Sequence, residues 1–159
     1  MKNDLLERKN PRLQGYNYSR KGVFFLTICT IDKQKLFCEL DAGEHGVLRK
    51  FSKIGKVAET AIENISKIYK QVTIDKYVIM QNHIHMILIL VNEDGSTMCS
   101  PTISGIIKQC KEYVTKQIGY SIWQKSFHDH IIRNEPEYQK IWQYINDNPQ
   151  KWADDCYYN

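Results

Sequence analysis

Apolar and polar positions alternate along this chain with two distinct periods. GVFFLTICTI, residues 22–31, is rich in β-branched and aromatic side chains with little polar interruption, which predicts a central strand buried on both faces. From Arg49 to Tyr69 the apolar residues Phe51, Ile54, Val57, Ala58, Ala61, Ile62, Ile65 and Ile68 recur at threes and fours, the spacing of an amphipathic helix. Residues 72–91 are apolar almost throughout. As one strand they would run to roughly 65 Å, several times the usual length. The polar pair Gln81-Asn82 is the place to break them, giving strands 72–80 and 83–91 joined by a tight turn. NEDGSTMCSPT is a polar loop whose Ser100-Pro101 suits a helix start, and Ile103, Ile106, Ile107, Cys110, Val114 and Ile118 space a second helix. SIWQKSFHDHIIR, residues 121–133, predicts a last strand. Asn134 as N-cap and Pro136 in the first turn then open a helix over 135–148, which Pro149 brings to an end.

The order strand, helix, hairpin, helix, strand, helix predicts an α+β fold: an antiparallel sheet with helices packed on one face, on the ferredoxin-like plan. At 159 residues, 42% hydrophobic and 25% charged, with no internal repeat and no linker, one globular domain over residues 1–159 is expected.

Charge changes this picture little. A net charge of +4 fits a polyanionic partner but is too mild to demand one. Residues 1–20 concentrate Arg8, Lys9, Arg12, Tyr16, Tyr18 and Arg20, which reads equally as a solvated arm or as a basic arm for nucleic acid. The N-terminal segment has no apolar signal region, and no stretch of membrane-span length is free of His, Gln or Asn, so a cytoplasmic protein without membrane contact is expected. Cys29, Cys38, Cys99, Cys110 and Cys156 are scattered and form no C-x-x-C pair, the pattern of reduced thiols.

The chemistry concentrates in YVIMQNHIHMILILV, residues 77–91. Residues i and i+2 of a strand share a face, so His83 and His85 project together from the start of the second hairpin strand. Burying imidazoles among Ile, Leu and Met costs free energy unless their ring nitrogens find partners. Three readings follow: a metal site, an acid/base pair, or histidines satisfied by carbonyls. The apolar setting favours the metal. His128 and His130 have the same spacing, but Lys125 and Asp129 make their segment more polar, and solvated histidines there need no special partner. On helix 135–148, Tyr138, Ile141, Trp142 and Ile145 form an apolar stripe with Tyr144 at its edge.

VIMQNHIHMILIL resembles the His-hydrophobic-His metal motif of the single-tyrosine HUH transposases. IWQKSFHDHIIRNEPEYQKIWQYINDNPQKW resembles the C-terminal half of the REP-associated tyrosine transposases, in which a Tyr-Ile-x-x-Asn-Pro string follows a Trp-Gln-x-x-Phe strand. RLQGYNYSRKGVFFLTICT is similar to that family's first strand and its lead-in, and the three segments occur in family order over most of the chain. The resemblance implies the ferredoxin-like HUH endonuclease fold, with His83 and His85 as metal ligands, Tyr144 as nucleophile and Asn148 as third ligand. Asp147 is the neighbouring oxygen donor, because Pro149 disfavours helical geometry at 148. Gln81 stands where the family motif commonly has proline.

The implied activity is metal-dependent cleavage and strand transfer of single-stranded DNA through a 5′-phosphotyrosine, at hairpin or palindromic elements, with Mg²⁺ or Mn²⁺ as cofactor. The resemblance also admits a homodimer. Arg12 and Arg133 are candidate DNA contacts, and Lys108, Lys111 and Lys116 could track a backbone. Two other readings remain open. A relaxase or rolling-circle replication initiator shares the chemistry, although its nucleophile usually precedes the histidines. A non-catalytic single-strand binder would need paired aromatic strings on central strands, where only Phe24 and Phe25 come close.

Overall fold

The computed structural model describes residues 21–91 and 101–152. Four strands, β1 (Gly22–Cys29), β4 (Val72–Ile79), β5 (His83–Leu90) and β6 (His128–Ile132), form an antiparallel sheet in the order β4-β5-β1-β6. The helices α1 (Lys53–Ile68), α2 (Ile103–Ile118) and α3 (Glu135–Asp147) complete the main body. A separate two-stranded hairpin, β2 (Cys38–Gly43) and β3 (Gly46–Phe51), precedes α1. With β1, α1, β4, β5, α2 and β6 taken in order, this is the ferredoxin-like plan, and the α+β class and the antiparallel sheet are as expected. Among the described residues no helix is long and apolar enough to cross a membrane.

The core follows the strand parity. Phe24, Leu26 and Ile28 of β1 and Ile84, Met86, Leu88 and Leu90 of β5 face α1 and α2, where Ala58, Ala61, Ile62, Ile106, Ile107 and Val114 meet them. The opposite face carries Val78, Met80, Ile87 and Ile132, packed with Ile145 of α3 and with Trp152. The expectation that the helices share one face therefore holds for α1 and α2 and not for α3. The reason lies in β5, whose residues are buried on both sides, so that each side requires a cover. That second cover is α3.

Element ends differ from the sequence reading where side-chain chemistry competes with periodicity. The long helix starts at Lys53 rather than Arg49, because Ser52 caps it by accepting a hydrogen bond from the Gly55 amide at 3.0 Å. Residues 46–51 go instead into the exposed hairpin. Its turn is completed by Gly46 at φ +116°, a conformation that favours glycine. The break at Gln81-Asn82 is where it was expected, with the Met80 amide donating to the His83 carbonyl at 2.9 Å. Thr102 caps α2 by accepting from the Gly105 amide, one residue beyond the Ser100-Pro101 start; Ser100 lies outside the described residues, as do the 1–20 arm, Cys99 and Cys156. The last strand is shortened to His128–Ile132 because the chain before it is pinned elsewhere. Trp123 bridges Thr30, its indole N–H donates to the Lys111 carbonyl, and the Lys111 ammonium donates to the carbonyls of Gln124 and Ser126.

Cys29, Cys38 and Cys110 are buried, and burial pushes the Cys110 thiol up to about 12 and that of Cys38 up to about 11.

Gly55 gives a test of this packing. A Cβ there would overlap the backbone carbonyl of Phe37. Helix propensity favours Ala over Gly by about 1 kcal/mol, but forcing a backbone apart costs about 1–3 kcal/mol. Urea unfolding should show Gly55→Ala to be less stable; a higher midpoint would mean that the carbonyl yields freely.

Candidate active site

The site lies on the face that α3 covers. His83 and His85 are 0% and 1% exposed, with ring centroids 4.4 Å apart. Each imidazole has a partner at Nδ1. His83 Nδ1 lies 2.8 Å from Asn82 Oδ1, and His85 Nδ1 lies 2.8 Å from Thr27 Oγ1 of the neighbouring strand. Since a carboxamide oxygen only accepts, His83 carries its proton on Nδ1 and presents the Nε2 lone pair on the other side. Register explains Thr27: it is directly opposite His85 in the β1–β5 ladder, so their side chains share a face.

α3 brings up the other components. Its N-terminus is fixed by Asn134, which accepts from the Glu137 amide at 2.9 Å, and by Glu137, which accepts from the Arg133 amide and from His130. These two hydrogen bonds hold the Glu137 carboxyl below its usual range. Tyr138 donates to Asp75, the residue at a bulge in β4, and Lys76 sits 4.0 Å above the Trp142 ring. Anchored this way, α3 places the Tyr144 hydroxyl 3.3 Å from His85 Nε2. Phe25 supports both rings, with centroids 5.2 Å from His85 and 6.2 Å from Tyr144. Tyr144 is nonetheless 41% exposed. It combines contact with a buried imidazole and access from solvent.

Asn148, one turn after Tyr144, is 2% exposed and has right-handed helical angles despite the proline that follows. Hydrogen bonds from the Gln150 and Lys151 amides to the Asp147 carbonyl carry the helical path onward, which overrides the local bias. One more turn on, Trp152 stacks against His83 with centroids 5.5 Å apart. Asn148 is thus flanked along the chain by two residues that touch the histidine pair. Asp147 is engaged instead by Gln143 and Lys151.

The donor set suits a divalent ion. Among the described residues no group of three or more His, Cys, Asp or Glu could hold one, and a third protein donor to the histidine pair would be of another kind. An amide oxygen fits that requirement, and Asn148 Oδ1 and His83 Nε2 are both buried.

The structure thus brings His83, His85 and Tyr144 together and sets Asn148 on the same helical line. Arg133 is exposed at the opposite end of α3 from Tyr144, and Arg12 lies outside the described residues. His128 and His130 share the face of His85 but are exposed, and His130 is bound to Glu137. Lys108, Lys111 and Lys116 belong to α2, on the other side of the sheet, and Lys111 is occupied by carbonyls. Sequence reasoning missed Thr27, Phe25 and Trp152. Only the Asn82-His83 adjacency and the i, i+4 spacing from Asn148 to Trp152 were there to be read.

No protein-family model matches the chain. An uncharacterised protein of Haemophilus influenzae is 31% identical over 172 residues, covering 95% of this chain and 93% of the relative. Among solved structures, a REP-associated tyrosine transposase bound to a REP hairpin superposes with a TM-score of 0.66 at 22% identity, covering 89% of this chain and 74% of that one. A candidate transposase from Deinococcus radiodurans superposes with a TM-score of 0.50 at 14% identity, covering 86% and 95%. The fold is that of these transposases.

Tyr138 of α3 titrates well above an ordinary phenol. The hydrogen bond to Asp75, then burial and the charges of Asp75 and Glu135, push the Tyr138 phenol up to about 12. The fold favours its protonated form, so the stabilisation is present below a pH of about 10 and is lost as the pH rises further through the raised value. Ultraviolet titration should show a phenol ionising at about 12 that is absent from Tyr138→Phe. Its persistence in that variant would place the high value on another tyrosine.

Proposed function

We propose that this chain, which belongs to one family with the Haemophilus influenzae protein and has the fold of the REP-associated tyrosine transposases, cleaves and rejoins single-stranded DNA with Tyr144 as nucleophile. The observation that carries the reading is the approach of the Tyr144 hydroxyl to His85 Nε2 across two separate elements. A phenol with an ordinary pKa near 10 is a weak nucleophile at neutral pH and needs an electrophile prepared for it.

His83, His85 and Asn148 would hold the divalent ion, Mg²⁺ or Mn²⁺, which when bound polarises the non-bridging oxygens of the scissile phosphate. The chain's own residues do the rest. Asn82 orients His83, Phe25 and the sheet fix the His85 ring, and α3 holds the phenol at the edge of the buried pair. Attack by Tyr144 Oη forms the phosphotyrosine bond and breaks the bond from phosphorus to the 3′ oxygen. The phenol loses its proton and the leaving 3′ oxygen gains one. The phosphodiester energy is kept in the covalent link, so rejoining needs no nucleotide cofactor.

An exposed hydroxyl beside a buried ligand pair favours an unpaired strand, whose backbone can be drawn down to the sheet; a rigid duplex presents its phosphates less closely. The structural relative's REP hairpin makes a hairpin with a single-stranded flank the substrate to try first.

Cleavage of a labelled single-stranded oligonucleotide in Mn²⁺ tests the assignment. His83→Ala, His85→Ala and Tyr144→Phe should each lower the rate by roughly 100-fold or more, while His128→Ala retains most of it. Full activity in Tyr144→Phe, or loss confined to His128→Ala, would move the active site elsewhere.

A further inference from the structure

We propose that Thr27 of β1 is a positioning residue for His85: its hydroxyl accepts from Nδ1–H and so favours the tautomer whose Nε2 lone pair faces metal and nucleophile. The proposal extends the reading of His85 as a metal ligand and adds a group from a strand that the sequence motif does not include. Thr27 is buried, and its Oγ1 is 2.8 Å from His85 Nδ1.

The two imidazoles have different kinds of partner. His83 faces a carboxamide oxygen, which leaves it no choice: Nδ1 donates. His85 faces a hydroxyl, which both donates and accepts. With the proton on Nδ1, His85 donates to Thr27 Oγ1, and the Nε2 lone pair is directed toward Tyr144. With the proton on Nε2, the roles reverse and that nitrogen no longer ligates. The first arrangement matches His83 and gives the pair two lone pairs on one side of the sheet. Hydrogen bonds of this kind orient metal-bound histidines generally, and their loss typically costs 10–100-fold in metal affinity. Thr27 also stands in the ladder directly opposite His85, so the rigid backbone pairing of β1 and β5 keeps the hydroxyl in line with the ring.

The test compares Thr27→Val, Thr27→Ala and Thr27→Ser in the full chain. Valine keeps the shape and strand preference of threonine and removes the hydroxyl; serine keeps the hydroxyl and removes the methyl; alanine removes both. Two readouts are taken: imidazole ¹⁵N shifts of His85, which report the tautomer without any metal, and Mn²⁺ affinity measured on the protein alone. Wild type and Thr27→Ser should show His85 protonated on Nδ1. Thr27→Val and Thr27→Ala should shift toward the other tautomer and bind Mn²⁺ about 10–100-fold more weakly. An unchanged His85 tautomer in the valine and alanine variants would overturn the proposal, and so would a serine variant as impaired as they are. If wild type binds no Mn²⁺, the metal reading fails, and the ¹⁵N comparison still decides the role of Thr27.

Discussion

Two imidazoles with less than 2% exposure on a strand buried on both faces constrain the rest of this structure. Buried rings of this kind are tolerated only with hydrogen-bond partners, and the partners here come from opposite directions: Asn82 in the turn before the strand and Thr27 across the ladder. Meeting both requires the β1–β5 register and the β4–β5 turn together. The face that carries the rings also carries Ile87 and its neighbours, which need an apolar cover. α3 provides it through Ile145, and the same docking sets Tyr144 against His85. The same docked helix therefore serves both the core and the candidate site.

The polar anchors of α3 follow from this. A helix that only filled a hydrophobic face could slide along it, and a shift of one turn would carry Tyr144 away from His85. Asn134 and Glu137 fix its start, while Tyr138 on Asp75 and Trp142 beneath Lys76 fix its side. Exposed ion pairs and ring contacts contribute little to stability individually. Here they tie α3 to the sheet at both its start and its side.

Much of the candidate site's geometry was legible in the sequence because its spacings are local. The period of two puts His83 and His85 on one face, and the helical period places Tyr144 beside the apolar stripe and in line with Asn148. The four sheet strands and three helices were legible for the same reason. What was not legible depends on tertiary choices. The β2–β3 hairpin is mostly exposed and rich in Glu, Asp, Lys and Arg, so it leaves no periodic apolar signal. The face that α3 occupies is decided by the double-sided burial of β5. Thr27 enters only through the cross-strand register, and the helical angles at Asn148 arise from turn hydrogen bonds that outweigh the proline after it. The basic residues of α2 show the reverse limit: their composition suits a polyanion, but the fold sets them across the sheet from the histidines.

The central claim is that one hydroxyl among ten tyrosines forms the bond to DNA. The most direct measurement is to trap the protein on a single-stranded oligonucleotide in Mn²⁺, isolate the denaturant-resistant adduct, digest it and locate the modified residue by mass spectrometry. The account predicts a 5′-phosphotyrosine at Tyr144 and no other site. A link mapped to Tyr138, Tyr157 or Tyr158, or the absence of any adduct while the DNA is cleaved, would contradict it.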